Sequence, residues 1–179
     1  MATYLTSTNL LRENGLFDGN IQESDLKVAL TLAQDTMLKD ILGTDLYDKL
    51  ISMVKDGTIT DVGNEAYLAL LRGPIRDVLT YYTYYNLLSI QAIKITNGGV
   101  SKPDREESQQ ATLEDIRALK STIKGYFGSY EEDLKHYLLI NKDEFPEYFA
   151  PSEDDIKPIR TNRVKGLLNI NKIMEERDI

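Results

Sequence analysis

The chain has 179 residues, of which 41% are hydrophobic and 28% charged, so it suits one domain with a core of ordinary size. A formal net charge of -8 argues against a surface that wraps nucleic acid, because such binding depends on neutralising phosphates. Cysteine is absent, which excludes disulfides, zinc–thiolate sites and thiol catalysis.

Two observations concern targeting and membranes. The N-terminus has no basic start followed by an apolar core, so we do not expect a signal peptide. The longest uncharged run, residues 78–93, contains four tyrosines and is too short to span a bilayer. We therefore expect a soluble protein that does not enter a membrane.

The first two predicted helices cover residues 8–14 and 24–42. Ser7 or Thr8 is expected to cap the first helix, and Ser24 the second. Apolar residues at spacings of three and four define one face of the longer helix. They are Leu26, Leu30, Ala33, Met37 and Ile41.

A sharp corner is predicted after this second helix. Gly43 is placed to adopt a left-handed conformation that ends it, and Thr44 is expected to cap a helix over residues 44–56. The corner would fold the apolar faces of both helices onto the same core. This pattern indicates packing alone.

The loop that follows Asp56 has a superficial likeness to a calcium-binding loop. Calcium requires several carboxylate ligands, but the third and fifth positions are Thr58 and Thr60. The sixth position is Asp61 where a glycine is needed, and the twelfth is Tyr67 where a glutamate is needed. The sequence therefore predicts no calcium site here.

Residues 64–95 are predicted to form a helix in two parts, with Asn64 as the cap and Gly73-Pro74 at the start of the second part. Apolar and aromatic residues cover most of the second part, which predicts a central helix. Its tyrosine cluster is expected in the core or at a subunit contact, because few cations accompany it. The cluster comprises Tyr81, Tyr82, Tyr84 and Tyr85.

A last long helix is predicted over residues 112–140, starting at a capping box formed by Thr112 and Asp115. Gly125 and Gly128 lie inside it, and each costs about 1 kcal/mol relative to alanine, so a kink or break is expected near them. The predicted fold class is therefore all-α, a small bundle of four to five helices.

Beyond residue 140 the helical pattern stops and three prolines follow, which indicates an extended C-terminal arm over residues 141–179. The body would then be residues 1–140. The arm's distal part is both basic and apolar, which suggests ordering against an acidic partner, although a solvated tail is the plainer interpretation. The candidate partner-binding residues are Lys157, Ile159, Arg160, Arg163, Val164, Lys165, Leu167 and Leu168.

No residues suggest catalysis, a cofactor or a metal. His136 is the single histidine, and none of the usual ligand spacings supplies a second ligand, so we expect a surface or half-buried side chain. Phosphate-loop, dinucleotide-binding and nucleophile-elbow motifs are absent from the sequence. The sequence predicts that the protein is not an enzyme.

Four segments of the chain resemble the head–tail connector, or adaptor, proteins of tailed bacteriophages, most closely those of the crAss-like phages of gut Bacteroidales. The segments are ESDLKVALTLAQDTMLKDILGTDLYDKL, GPIRDVLTYYTYYNLL, AIKITNGGV and DLKHYLL. The resemblance covers roughly residues 4–140, and the run AQ…ILGT.LY..L is its most telling part. All are packing and turn signals, without a reactive residue among them.

The resemblance implies a structural virion protein, made in the host cytoplasm and located in the neck at the head–tail junction. Such proteins form an α-helical ring of twelve copies that binds the portal protein, contacts further neck or tail proteins and extends the DNA channel. DNA would pass through the lumen without specific binding, which an acidic protein favours. The alternative is a non-viral helical regulatory module that uses its basic C-terminal tail on an acidic partner or nucleic acid.

Overall fold

The structure is a computed structural model that describes residues 3–13, 21–92, 94–96, 99–101, 113–150 and 158. The prediction of an all-α bundle is confirmed. The described helices are α1 (Thr8–Glu13), α2 (Glu23–Leu32), α3 (Lys39–Leu42), α4 (Thr44–Asp56), α5 (Glu65–Leu70), α6 (Arg76–Ala92), α7 (Leu113–Ile140) and α8 (Pro146–Phe149).

Helices α2 and α3 form one continuous helical segment, because the residues between them make a π-helical stretch, Ala33–Leu38. The single helix predicted over residues 24–42 is thus confirmed. Its predicted cap is wrong, since α2 begins at Glu23 and Ser24 lies inside the first turn. Contacts with α1 explain the earlier start: Thr8 Oγ1 donates to Glu23 Oε1 at 2.7 Å, and Arg12 Nη2 lies 3.3 Å from Glu23 Oε2.

The caps predicted for the four other helices have mixed outcomes. Ser7 caps α1 as predicted, because its Oγ accepts the backbone N–H of Leu10 at 3.1 Å. Thr44 is the first residue of α4 and the cap position falls on Gly43, so that prediction is wrong. Asn64 occupies the cap position of α5, but its side chain makes no capping bond. Its amide instead donates to the carbonyl of Thr58 at 2.8 Å and stabilises the preceding turn. Thr112 lies outside the described residues.

The corner between α3 and α4 is built on Gly43, which is buried and has φ 75° and ψ 167°. The predicted positive φ is confirmed, although ψ places the residue outside the usual left-handed helical region. Its N–H donates to the carbonyl of Lys39 at 2.9 Å, and its carbonyl accepts the N–H of Tyr47 at 3.2 Å. The same residue therefore ends one helix and starts the next.

The two-part helix predicted over residues 64–95 is observed with one correction. A π-helical stretch, Leu71–Ile75, joins α5 to α6, and non-helical torsions at Gly73 (φ -103°, ψ -105°) bend the chain before Pro74. The second part ends at Ala92, earlier than predicted. Beyond it, β1 (Lys94–Thr96) pairs antiparallel with β2 (Gly99–Ser101), because β-branched residues beside an Asn-Gly turn sequence favour a hairpin.

Helix α6 is central, as predicted, and packs against α2 with one face and α7 with another. Towards α7, the ring of Tyr82 meets that of Phe127 edge to face, with centroids 4.7 Å apart. The Tyr82 hydroxyl donates to Glu131 Oε2 at 2.9 Å, and Lys135 binds the other oxygen of that carboxylate. Burial, and then the Glu131 charge, raise the pKa of Tyr82 far above its usual value, so the phenol stays protonated. The described helices have no membrane-spanning candidate among them.

Helix α7 runs unbroken from Leu113 to Ile140, so the break expected near Gly125 and Gly128 is not found. Ile123, Phe127 and Leu134 are buried on both sides of the glycines. The stabilisation from burying them, about 1.5–3 kcal/mol each, exceeds the cost of two helical glycines. Tertiary packing therefore decides the conformation here.

Residues 141–150 do not form the extended arm that the prolines predicted. They turn back after α7 and form α8, with Pro146 at its tolerated first position. Phe145 and Tyr148 are buried in the core, and Pro158 is buried as well. The extended interpretation of these ten residues was wrong because their aromatic side chains provide a buried face that outweighs the lack of a helical period.

Two threonines on α6 offer a matched test of buried hydroxyls. Thr83 is fully buried, and its Oγ1 has no hydrogen-bond partner among the described residues, whereas Thr80 Oγ1 donates to the carbonyl of Arg76 at 2.8 Å. Thr83→Val should leave the free energy of unfolding unchanged or raise it by up to about 1 kcal/mol, since an unpaired buried hydroxyl is unfavourable. Thr80→Val should lower it by about 1 kcal/mol. Urea denaturation measures both, and equal losses for the two variants would contradict the assignment.

Candidate functional site

A surface groove of about 740 Å³ lies between the N-terminal segment and the turn that joins α4 to α5. Its walls come from four separate parts of the chain: the N-terminal segment with α1, helix α2, the end of α4 with the following turn, and α5 with the π-helical stretch. The lining residues are Tyr4, Leu5, Thr6, Ser7, Thr8, Leu10, Lys27, Val54, Ile59, Thr60, Leu68, Leu71, Arg72 and Arg76.

The groove is mainly apolar. Val54, Ile59, Leu68 and Leu71 belong to the lining and also pack against the hydrophobic core. Leu10 completes the opposite wall and is 43% exposed, which is high for a leucine at the edge of a core. Apolar surface that stays in water at a concave site favours binding of a complementary apolar group.

Cations provide the charged part of the lining, and none of the described lining residues is acidic. Lys27 Nζ lies 3.6 Å from Glu23, and Arg76 Nη2 lies 3.2 Å from its neighbour Asp77. Arg72 is exposed and forms no ion pair within the described part of the chain. Arg72 is therefore the lining cation that has no carboxylate partner among the described residues, on a protein whose net charge is -8.

Gln34 holds the N-terminal wall of the groove in place. Its side chain is 3% exposed and lies in the π-helical stretch that follows α2. Oε1 accepts the backbone N–H of Leu5 at 2.8 Å, and Nε2 donates to the carbonyl of Thr3 at 3.0 Å. A single amide thus replaces the backbone partners that a neighbouring strand would otherwise supply.

A second polar cluster joins α8 to the body. Lys49 Nζ donates to Glu147 Oε1 at 2.5 Å and to the Tyr67 hydroxyl at 2.7 Å, and that hydroxyl lies 3.0 Å from Glu147 Oε2. Burial on its own would raise the pKa of Glu147, but hydrogen bonds from Lys49, the backbone and Tyr67 outweigh it and lower the pKa. The pKa of Lys49 is raised, because the same bonds outweigh its desolvation. The cluster has a structural role, since all three groups satisfy one another.

Stability at acid pH should report this cluster. The folded-state pKa of Glu147 lies below its ordinary value of 4.5, so its stabilising effect is complete above that value and is lost as the pH falls through the lower folded pKa. Glu147→Gln should therefore destabilise the protein at pH 7, and the difference from wild type should shrink at lower pH. Urea denaturation across this range measures it. A constant difference down to the acid-unfolding limit would show that Glu147 stabilises by packing only.

The predicted partner-binding residues, Lys157 to Leu168, lie outside the described residues, so the structure does not place them. His136 is exposed on α7, within the two environments that the sequence predicted. In the described ranges, no three His, Asp or Glu side chains gather into a group that could hold a metal ion.

Sequence patterns alone did not identify the groove. They also did not identify the two hydrogen bonds by which Gln34 holds its N-terminal wall, called here the Gln34 clamp. A weak signal for Gln34 was present, because this polar residue sits four positions after Leu30 and four before Leu38, on the buried face of its helix. Such a residue must find hydrogen-bond partners in the core. Arg72 carried no comparable signal, since an exposed arginine near a glycine and a proline is ordinary.

The fold and the groove define a small helical-bundle protein with a concave, mainly apolar groove on its surface. The chain belongs to a family of unknown function, DUF6712, whose model matches residues 38–158, about two thirds of its length. That match includes α8, which agrees with the packing of α8 on the body. No curated protein and no solved structure matches the chain.

Proposed function

We propose that this protein is a non-catalytic structural subunit of a tailed-phage neck, where copies form a ring that joins the portal to the tail and extends the DNA channel. The proposal starts from the resemblance to head–tail connector proteins. The run AQ…ILGT.LY..L, its most telling part, contains the Gln34 clamp, the Gly43 corner and the buried Leu46 and Leu50. The resemblance therefore concerns residues that build the fold of a subunit.

The observation that best supports a ring is a pair of exposed apolar patches on the two helices that flank α6. The α2 patch consists of Val28 and Leu32, four residues apart, and Val28 is 53% exposed. The α7 patch consists of Leu119 and Tyr126, seven residues apart, and Tyr126 is 54% exposed. A contact between two different patches of identical chains is heterologous, and repeated heterologous contacts form a ring when the rotation between subunits closes.

Aromatic stacking makes the α7 patch suitable as a subunit contact. The rings of Tyr81 and Tyr130 stack with centroids 4.8 Å apart, and Tyr126 lies 5.9 Å from Tyr81. Tyrosine is enriched in the cores of protein interfaces because its ring contributes apolar area while its hydroxyl tolerates water. The stacking also holds the exposed ring in place before binding, which reduces the entropy lost on association.

The first experiment measures the mass of the purified protein in solution and images it after mixing with a portal protein. The proposal expects ring-shaped particles that attach to the portal. A monomer that never associates, alone or with the portal, would contradict it. Salt-sensitive DNA binding by such a monomer would instead favour the regulatory module with a basic tail.

Variants at the two patches test the mode of assembly. Val28→Lys with Leu32→Lys, or Tyr126→Lys alone, should each abolish the oligomer, because lysine cannot be buried unpaired in an interface. Val62→Lys is the control, since Val62 is 98% exposed in the turn between α4 and α5 and belongs to neither patch. Mixing the two patch variants should give a heterodimer through the intact pair of patches. If each variant still formed homodimers, the contact would be isologous and the ring arrangement would be wrong.

A further inference from the structure

We infer that the groove between the N-terminal segment and α5 is a binding site for an acidic, apolar peptide segment of another protein. This inference does not depend on the ring. It concerns a different surface from the two patches, because no patch residue lines the groove.

Charge identifies the acidic component of the ligand. Lys27, Arg72 and Arg76 line the groove, and no described lining residue is acidic. Lys27 and Arg76 already pair with carboxylates outside the lining. Arg72 has no ion pair among the described residues, so on a protein of net charge -8 it is the groove cation that is available to an acidic ligand. Arginine is well suited to recognising carboxylates, because its planar guanidinium donates two parallel hydrogen bonds.

The apolar lining identifies the ligand as a peptide and argues against nucleic acid. Leu10, Val54 and Leu68 present aliphatic side chains to the groove. Single-stranded nucleic acid favours aromatic platforms ringed by many cations, and Tyr4 is the only aromatic residue in the described lining. Carboxylates alternating with aliphatic residues would match both the cations and the leucines. A volume of about 740 Å³ accommodates several such side chains.

The basic end of the chain is a poor occupant. Residues 157–172 contain five lysines and arginines and no acid, so the groove cations would repel them. The short acidic run Glu153-Asp154-Asp155 has the right charge, and the test below distinguishes it from a segment of another protein.

The test uses the full-length protein and a short fluorescein-labelled peptide in which glutamate alternates with leucine, monitored by fluorescence anisotropy. We expect saturable binding that weakens about tenfold or more in Arg72→Glu, through loss of one charge-assisted contact and gain of a repulsion. Leu10→Asp should weaken it similarly, and because Leu10 is partly exposed this variant should fold. Arg117→Glu, an exposed cation on α7, is the matched control and should bind like wild type.

Several results would overturn the inference. The first is the absence of saturable binding. The second is that Arg72→Glu binds the peptide as tightly as the wild-type protein does. The third is that a peptide with lysine in place of glutamate, or with serine in place of leucine, binds as tightly as the glutamate–leucine peptide. Preferential binding of a single-stranded oligonucleotide would also overturn it. A variant with Glu153, Asp154 and Asp155 changed to the corresponding amides should bind as wild type does. Much tighter binding by that variant would identify the chain's own segment as the occupant. None of these results bears on ring assembly, which the patch variants test separately.

Discussion

Replacing Gly43 with valine should lower the free energy of unfolding by about 3 kcal/mol. The backbone at this corner has φ 75° and ψ 167°, a region that is essentially restricted to glycine. A β-branched side chain there clashes with its own backbone, and the buried corner leaves little room for the two helices to separate. Urea denaturation followed by circular dichroism measures the loss.

Gly57 supplies the control for this prediction. It also has φ 75°, but its ψ of 6° places it in the left-handed helical region that asparagine tolerates. No heavy atom lies within 4 Å of the position that a Cβ would occupy there. Gly57→Asn should therefore cost less than about 1 kcal/mol, whereas Gly43→Asn should cost nearly as much as valine. A wild-type midpoint for Gly43→Val would show that the corner can rearrange freely.

Ending the chain at residue 140 should destabilise the body severely, whereas ending it at residue 158, which keeps α8 and the buried Pro158, should cost much less. The reason is Phe145, which is fully buried and packs edge to face on Tyr67 with ring centroids 5.3 Å apart. Phe145→Ala alone should lower the free energy of unfolding by about 3–5 kcal/mol. Denaturation curves of the two truncated proteins and of Phe145→Ala, each compared with the wild-type protein, test this prediction.

Phe149→Ala is not a suitable control, because Phe149 is partly buried against the core and its ring also contacts that of Tyr148. Leu139→Ala is better, since Leu139 is half exposed near the end of α7 and its loss should cost less than about 1 kcal/mol. If the chain ending at residue 140 were as stable as full-length protein, the domain boundary predicted from the prolines would be correct and the α8 contacts would be energetically unimportant.

Most of the bundle could be predicted from the sequence because long amphipathic helices repeat their signal over several turns. The stripe from Leu26 to Ile41 crosses a π-helical stretch and still marks the buried face. Helix α8 has only four residues, too few for a period, and the three prolines at 146, 151 and 158 indicate an extended chain when the sequence is considered alone. The hairpin after α6 was missed for the same reason, since its strands have three residues each.

The groove could not be predicted because its walls are brought together by tertiary packing. Leu10 and Leu68 are separated by 58 positions in the sequence, and no local pattern links them. From the sequence alone, Arg72 and Lys27 cannot be distinguished from ordinary solvated charges, and it is the fold that places them on one surface. The predicted Ser24 cap was wrong for a different reason: α2 begins one residue earlier, at Glu23, whose partners Thr8 and Arg12 lie on another helix.

The Gln34 clamp has a consequence for how the N-terminal segment moves. Leu5 lies outside any helix, but its amide hydrogen is donated to a buried acceptor, so its hydrogen exchange should be as slow as that of helical amides. Exchange would require the N-terminal segment to separate from the π-helical stretch Ala33–Leu38, and that separation would also open one wall of the groove. The protection factor of this single amide therefore measures how often the groove loses its wall, and anything bound against that wall should slow the exchange further.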